Sequence, residues 1–238
     1  MRVQSFSDFD DFAESIRGVV PHMMLQNVAQ QSWRLRAVNL NGIDVQLGQL
    51  GSGNIAEGEL RAGGTMLYLP LTSGVEYSAN GTVVERGSFA VLEPGCEVCI
   101  TTKVMHDWCA VTFPTRLFGS QGQSATSETR PTVRVTSVNQ YAARRFREIV
   151  AQVMAVAAKT DQIESGPAAA NVCAALLEVA QCVLPPSTAS MHHPGGRPRV
   201  PREQIVALAR DYLTQHPDEG PHVGDLASSA NVSERTLR

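Results

Sequence analysis

His222-Val223-Gly224-Asp225-Leu226-Ala227-Ser228-Ser229-Ala230-Asn231-Val232-Ser233-Glu234-Arg235-Thr236-Leu237-Arg238 is the last stretch of the 238-residue sequence, and it reads as two short helices meeting at a turn. Leu226 sets an apolar anchor beside the small Ala227. Ala230-Asn231-Val232 makes the turn, because asparagine tolerates the left-handed backbone that such turns often use. Ser233 is suited to cap the second helix, its hydroxyl accepting from backbone N–H groups of the following turn. Leu237 then falls back toward Leu226 and Val232. Small residues at the crossing let the two helices approach closely, as a helix-turn-helix requires. The same string would also serve two helices that merely cross, so what precedes it decides its meaning.

Working back along the chain, Arg202–Gln215 is predicted to be helical, with Ile205, Leu208, Ala209, Tyr212 and Leu213 on one face. Pro217-Asp218-Glu219-Gly220-Pro221 ends it. Residues 185–201 hold five prolines and the Gly195-Gly196 pair, a linker composition that no continuous helix or strand survives. Before the linker lie two amphipathic segments. Tyr141, Phe146, Ile149, Val153, Val156 and Ala157 mark the face of the first. Val172, Leu176, Leu177, Val179, Val183 and Leu184 mark that of the second, with Pro167 placed at its first turn. A short connection predicts an antiparallel pair, which either docks on the preceding domain or meets a second copy of the chain.

From about Leu35 to Phe113 the texture is that of strands. Eleven of the 19 glycines fall between Gly42 and Gly95, separating short stretches of period-two alternation. Ile43, Val45 and Leu47 alternate with polar residues, and Met66, Tyr68 and Pro70 alternate with Leu67 and Leu69. Further strands are predicted at Gly74–Tyr77, Thr82–Glu85, Phe89–Leu92, Val98–Thr102 and Trp108–Phe113, with a Pro94-Gly95 turn between two of them. Such spacing indicates a small barrel or sandwich. Residues 6–32 read as a helical or irregular lead-in. The fold class is therefore α+β: a β-barrel or sandwich with a helical pair over residues 1–184, the linker 185–201, and the start of an all-α domain over 202–238.

Taken in that order, the chain resembles the AraC/XylS regulators. The pattern Leu226-Ala227-x-x-Ala230-x-Val232-Ser233-x-Arg235-x-Leu237 is similar to the family's first helix-turn-helix, and the helix before it to the family's opening helix. The Gly-rich strands, Pro-Gly turn and paired helices are similar to its cupin-like sensor and dimerisation segment. The resemblance implies a transcription regulator that binds DNA and a small-molecule effector and forms a homodimer. It places Ser233, Arg235 and Arg238 near the DNA face, where a solvated surface role is the other option. Two departures matter. Residues 199–238 carry five arginines against six acidic residues, so this segment is not basic. The sequence also stops five residues after Ser233, whereas the family continues that helix and adds a second helix-turn-helix. Residues 1–238 alone are accordingly expected to bind operator DNA weakly or not at all, and tight sequence-specific retardation in a mobility-shift assay would contradict this.

Several other classes are disfavoured. No apolar run approaches the roughly 20 residues of a membrane helix, and the N-terminus lacks the apolar core of a signal peptide, so the expected location is cytoplasmic. A net charge of −3 gives no global electrostatic case for nucleic acid. The five cysteines are expected to be reduced and buried: Cys96 and Cys99 point to opposite faces of a strand, and Cys173 and Cys182 to opposite sides of a helix. A metal-dependent cupin-type enzyme is the alternative function, and it needs three protein ligands. Residues 35–113 offer one histidine, His106, which reads as a surface or capping residue near a hairpin end. No cofactor, metal or catalytic residue is expected, and the protein is read as a non-enzyme. What remains is a sensing barrel for an apolar or aromatic molecule, or a dimeric scaffold without one. The candidate ligand residues are Met66, Tyr68, Tyr77, Phe89, Cys99, Trp108 and Cys109, positions that a plain core would fill equally well. A hairpin centred near Val104 would set Cys99 opposite Cys109 on one face.

Overall fold

The computed structural model describes residues 2–85, 87–122, 132–137, 140–158, 166–184, 202–217, 220, 222–230 and 232. The chain divides into two compact units, Met1–Thr188 and Ala189–Arg238. The first contains two antiparallel sheets. Strands β1 (Arg2–Phe6), β3 (Trp33–Leu40), β4 (Ile43–Leu50), β6 (Gly64–Pro70), β9 (Ser88–Leu92), β11 (His106–Pro114) and β12 (Val133–Ser137) form one, in the order β1-β3-β4-β11-β6-β9-β12. Strands β2 (Val19–Gln26), β5 (Gly53–Leu60), β7 (Tyr77–Ala79), β8 (Thr82–Val83) and β10 (Glu97–Thr102) form the other, in the order β2-β5-β10-β7-β8. Two hairpins turn on Asn-Gly pairs. Asn41 and Gly42 join β3 to β4 with φ of 50° and 96°, and Asn80 and Gly81 join β7 to β8 with 47° and 76°. Both residues of such a two-residue turn need positive φ, which is why this dipeptide recurs there.

The central strands of the seven-stranded sheet are buried on both faces. Trp33, Leu35, Leu50, Met66, Tyr68, Ala90, Leu92, Trp108 and Ala110 face the five-stranded sheet, meeting Tyr77, Ala79 and Val98. Val38, Leu40, Val45, Leu67, Leu69, Phe89, Val91, Cys109, Val111 and Phe113 face away, into a second core closed by two helices. These are α2 (Gln140–Ala157) and α3 (Pro167–Val183), which pack on each other and on β3. Phe146 stands edge-on to Phe89, with ring centroids 5.1 Å apart at 90°. Arg145 reaches Glu178 across the pair at 3.6 Å, and the Cys173 thiol donates to the Leu40 carbonyl at 3.2 Å. The paired helices therefore dock on the sheet.

The structure corrects several expectations. Residues 6–32 are not a helical or irregular lead-in: besides the short helix α1 (Phe9–Glu14) they include strand β2. Asp8 caps α1 by accepting from the Asp10 and Asp11 amides, so that Phe9 and Phe12 are buried. The strand expected over Gly74–Tyr77 begins only at Tyr77, since Gly74 sits in a turn at φ 76°. On α2, Tyr141 (68% exposed) and Val156 (46%) lie outside the buried stripe, which runs instead through Ala143, Phe146, Val150, Val153, Met154 and Ala157. The cysteines are free, but Cys182 is exposed. Cys99 does not oppose Cys109, because β10 pairs with β5 and β7 while β11 pairs with β4 and β6 in the other sheet.

In the second unit, α4 (Arg202–Gln215) packs on α5 (Val223–Ser229), burying Ile205, Ala227 and Ala230. The Ala230 amide donates to Leu226 O at 3.1 Å, and the Val232 amide to Ala227 O at 2.9 Å, closing the helix end. The linker expected over 185–201, the turn residue Asn231, and Ser233, Arg235, Leu237 and Arg238 lie outside the described residues. Among the described residues no helix is long and apolar enough to cross a membrane.

Candidate functional site

Between the two sheets lies a cavity of about 580 Å³, counting the space at its mouth. Every second residue of each strand points inward, so a few strands supply the whole lining. From the five-stranded sheet come Val19, Pro21 and Met23 of β2, Asn54, Ala56 and Glu57 of β5, and Val98 and Ile100 of β10. From the seven-stranded sheet come Met66 and Tyr68 of β6, Leu92 of β9, and His106, Trp108 and Ala110 of β11, while Ile16 closes one side. The lining has the composition of a small-molecule site: mainly apolar, with a few polar groups.

Glu57 is a cross-strand partner of Cys99 on one side and His22 on the other. Paired residues share a sheet face, and the Val98 and Ile100 flanking Cys99 line the cavity, so the Glu57 carboxylate belongs to the outer face. Tyr68 packs against Trp108, with ring centroids 6.0 Å apart and 29° between planes. Its hydroxyl is buried and has no hydrogen-bond partner among the described residues. Burial, then the neighbouring Tyr77 and Cys109, push the Tyr68 hydroxyl well above the usual phenol range, which keeps it a neutral donor. Tyr77 differs: its hydroxyl donates to Asp107 O at 2.7 Å and accepts from the Thr72 amide.

His106 is the residue that sequence reading placed wrongly. It is buried, not at the surface, with its ring edge-on to Tyr77 at 5.4 Å. Its Nδ1 donates toward the carbonyls of Val104 (3.0 Å) and Ser52 (3.2 Å). That tautomer leaves Nε2 as an acceptor, 3.1 Å from the Thr102 hydroxyl. The same hydroxyl lies 3.1 Å from Asn54 Oδ1, so one proton serves two acceptors at the cavity wall. The alternation ending at Thr102 and resuming at His106 was the available signal, for it carries both inward.

Burial lowers the His106 pKa, against the opposing pull of the Val104 and Ser52 carbonyls and of Asp107. A histidine depressed in the folded state favours folding above its unfolded pKa of about 6.5 and loses that contribution as pH falls through the folded value. The urea midpoint is therefore expected to fall between pH 7.5 and 5.5, before carboxylates titrate. His106→Gln should flatten that slope, and an equally steep slope in the variant would remove His106 as its cause.

Of the seven candidate ligand residues, Met66, Tyr68 and Trp108 line the cavity. Tyr77 lies in the same core without lining it. Phe89 and Cys109 sit on the opposite face, in the core beneath the helices, and Cys99 is on the outer face of its sheet. Burial raises the Cys96 thiol to about 11 and raises Cys109 too, so both remain protonated and unreactive near neutral pH. Asn54, Ala56, Ile100 and His106 were missed. Among the described residues no three His, Cys, Asp or Glu side chains converge in a set able to hold a metal.

The fold matches that of the AraC-like transcriptional activator CuxR, with a TM-score of 0.51 and 10% identity, over 99% of this chain and 87% of that one. The chain has the fold of an AraC-like regulator. Two structures of ToxT from Vibrio cholerae, one of them with unsaturated fatty acid bound, match over 93% and 94% of this chain at 7% and 10% identity. They cover 73% and 78% of those chains, and at TM-scores of 0.34 they add nothing to the fold assignment. No protein-family model matches the chain, and no curated protein does.

Proposed function

We propose that this AraC-like chain is a transcription regulator whose β domain senses a small molecule. The observation that carries the reading is the largely apolar cavity between the sheets, in a fold shared with a transcriptional activator. An effector there would contact β6, β10 and β11 together. Strands β6 and β11 also carry, on their other face, the core that seats α2 and α3. Occupancy is thereby connected to helix seating through the two faces of one sheet, a physical route from effector to the helices.

The regulator acts as a homodimer in the cytoplasm, its dimer surface formed by the solvent side of α2, where Tyr141 and Val156 are exposed. Light scattering giving the mass of one chain would remove the dimer from the account. DNA contact belongs to residues 222–238, with Ser233, Arg235 and Arg238 as the contact residues. The sensing role is tested by a thermal-shift screen of small molecules against the 238-residue chain. A compound at 100 times its Kd stabilises by about 2.7 kcal/mol, a shift of several degrees. A screen in which no compound raises the melting temperature contradicts the sensing role.

A further inference from the structure

The cavity also bears on the kind of molecule it takes. Among the described residues its wall presents no lysine or arginine and no inward carboxylate, since Glu57 shares the outer face with Cys99 and His22. A charged ligand would lose its hydration with no counter-charge to replace it, a penalty of several kcal/mol per ion. Among the described residues, the buried hydroxyls of Tyr68 and Thr112 lack partners, and of these two Tyr68 lines the cavity. An orphaned buried hydroxyl is destabilising until something accepts its proton. On its own and the adjoining strands the cavity lining is Met66, Leu92, Trp108 and Ala110, apolar or aromatic, while Asn54 and His106 supply polar groups elsewhere on the wall.

Resting on the sensing role above, we propose that the effector is an uncharged, largely apolar molecule bearing one oxygen that accepts the hydrogen bond of the Tyr68 hydroxyl. Carboxylates and ammonium compounds of the same size are excluded by the wall. Tyr68 then sets specificity within the site. Removing its hydroxyl also stabilises the empty protein, because an unpartnered group leaves the interior.

The test uses the full 238-residue chain and three probes of similar size: benzyl alcohol, ethylbenzene and benzoate. Their affinities are measured by calorimetry on the unaltered chain and on Tyr68→Phe. Benzyl alcohol is expected to bind the unaltered chain and lose about tenfold in Tyr68→Phe, the effect of one lost hydrogen bond. Ethylbenzene should bind both chains equally within about twofold, benzoate should bind the unaltered chain at least about tenfold more weakly than benzyl alcohol, and ligand-free Tyr68→Phe should melt higher. Benzyl alcohol binding that ignores Tyr68→Phe, or benzoate binding as tightly as benzyl alcohol, overturns the proposed class and leaves the sensing role intact. Binding of none of the three overturns the proposed class, and the sensing role is then decided separately by the thermal-shift screen. Were Tyr68→Phe not to fold, the benzoate and benzyl alcohol comparison on the unaltered chain decides the class alone.

Discussion

Phe146→Ala is expected to cost about 3–5 kcal/mol, the range for truncating a fully buried phenylalanine. Phe146 is wholly inaccessible and stands edge-on to Phe89, so it joins α2 to the sheet at the centre of the outer core. Against a total stability of about 5–15 kcal/mol, such a loss is a large share of what holds the β domain folded. Urea unfolding measures it, with Gln181→Ala on α3 as the comparison. Gln181 is exposed, and its truncation should fall within about 0.5 kcal/mol of zero. Phe146→Ala costing less than about 1 kcal/mol would mean that the helices do not close this core.

Gly48→Ala is expected to damage both the fold and the cavity. Gly48 lies opposite Trp108 in the β4–β11 ladder, and a Cβ there would overlap the indole, with Cζ2 and Nε1 only 2.5 Å away. The ring has to move, and forced repacking of this kind costs about 1–3 kcal/mol. Because Trp108 lines the cavity, the displaced indole has the cavity to move into. The variant should therefore unfold at lower urea and also lose any thermal shift given by a compound that stabilises the unaltered chain. A variant as stable as the original, with the same ligand-induced shift, would contradict the placement of Trp108.

Period-two alternation made most strands legible, and the glycine-rich turns set their spacing. Alternation cannot say which face looks at what when both faces are buried. In β4 the apolar series Ile43, Val45 and Leu47 packs under the helices, while Gln46, Gly48 and Leu50 point to the other sheet. Gln46 is tolerated there because its amide exchanges two 2.9 Å hydrogen bonds with the Arg17 backbone. The same ambiguity put Phe89 and Cys109 among the candidate ligand residues, although they belong to the helix-facing core. It did not affect Met66, Tyr68 and Trp108.

Strand β2 was illegible for a different reason. Its outward residues Val20 and Met24 are as apolar as its inward Val19 and Met23, and His22 between them is a single polar mark, so the alternation is weakly written. His106 was misjudged because a lone histidine beside a hairpin gives no hint of buried carbonyls. The partners that hold it, Ser52, Thr102 and Val104, come from two different parts of the chain.

The most direct test of the sensing cavity uses the two tryptophan indoles as reporters. Trp108 lines the cavity, whereas Trp33 does not, and its indole is held by a 3.1 Å hydrogen bond to Ser52 Oγ. In a nitrogen-15 correlation spectrum these give two indole signals, assigned with Trp108→Phe. Adding the compound with the largest thermal shift should move the Trp108 signal in proportion to occupancy and leave Trp33 nearly fixed. A compound that stabilises the chain while moving neither signal would place the ligand elsewhere and contradict the account.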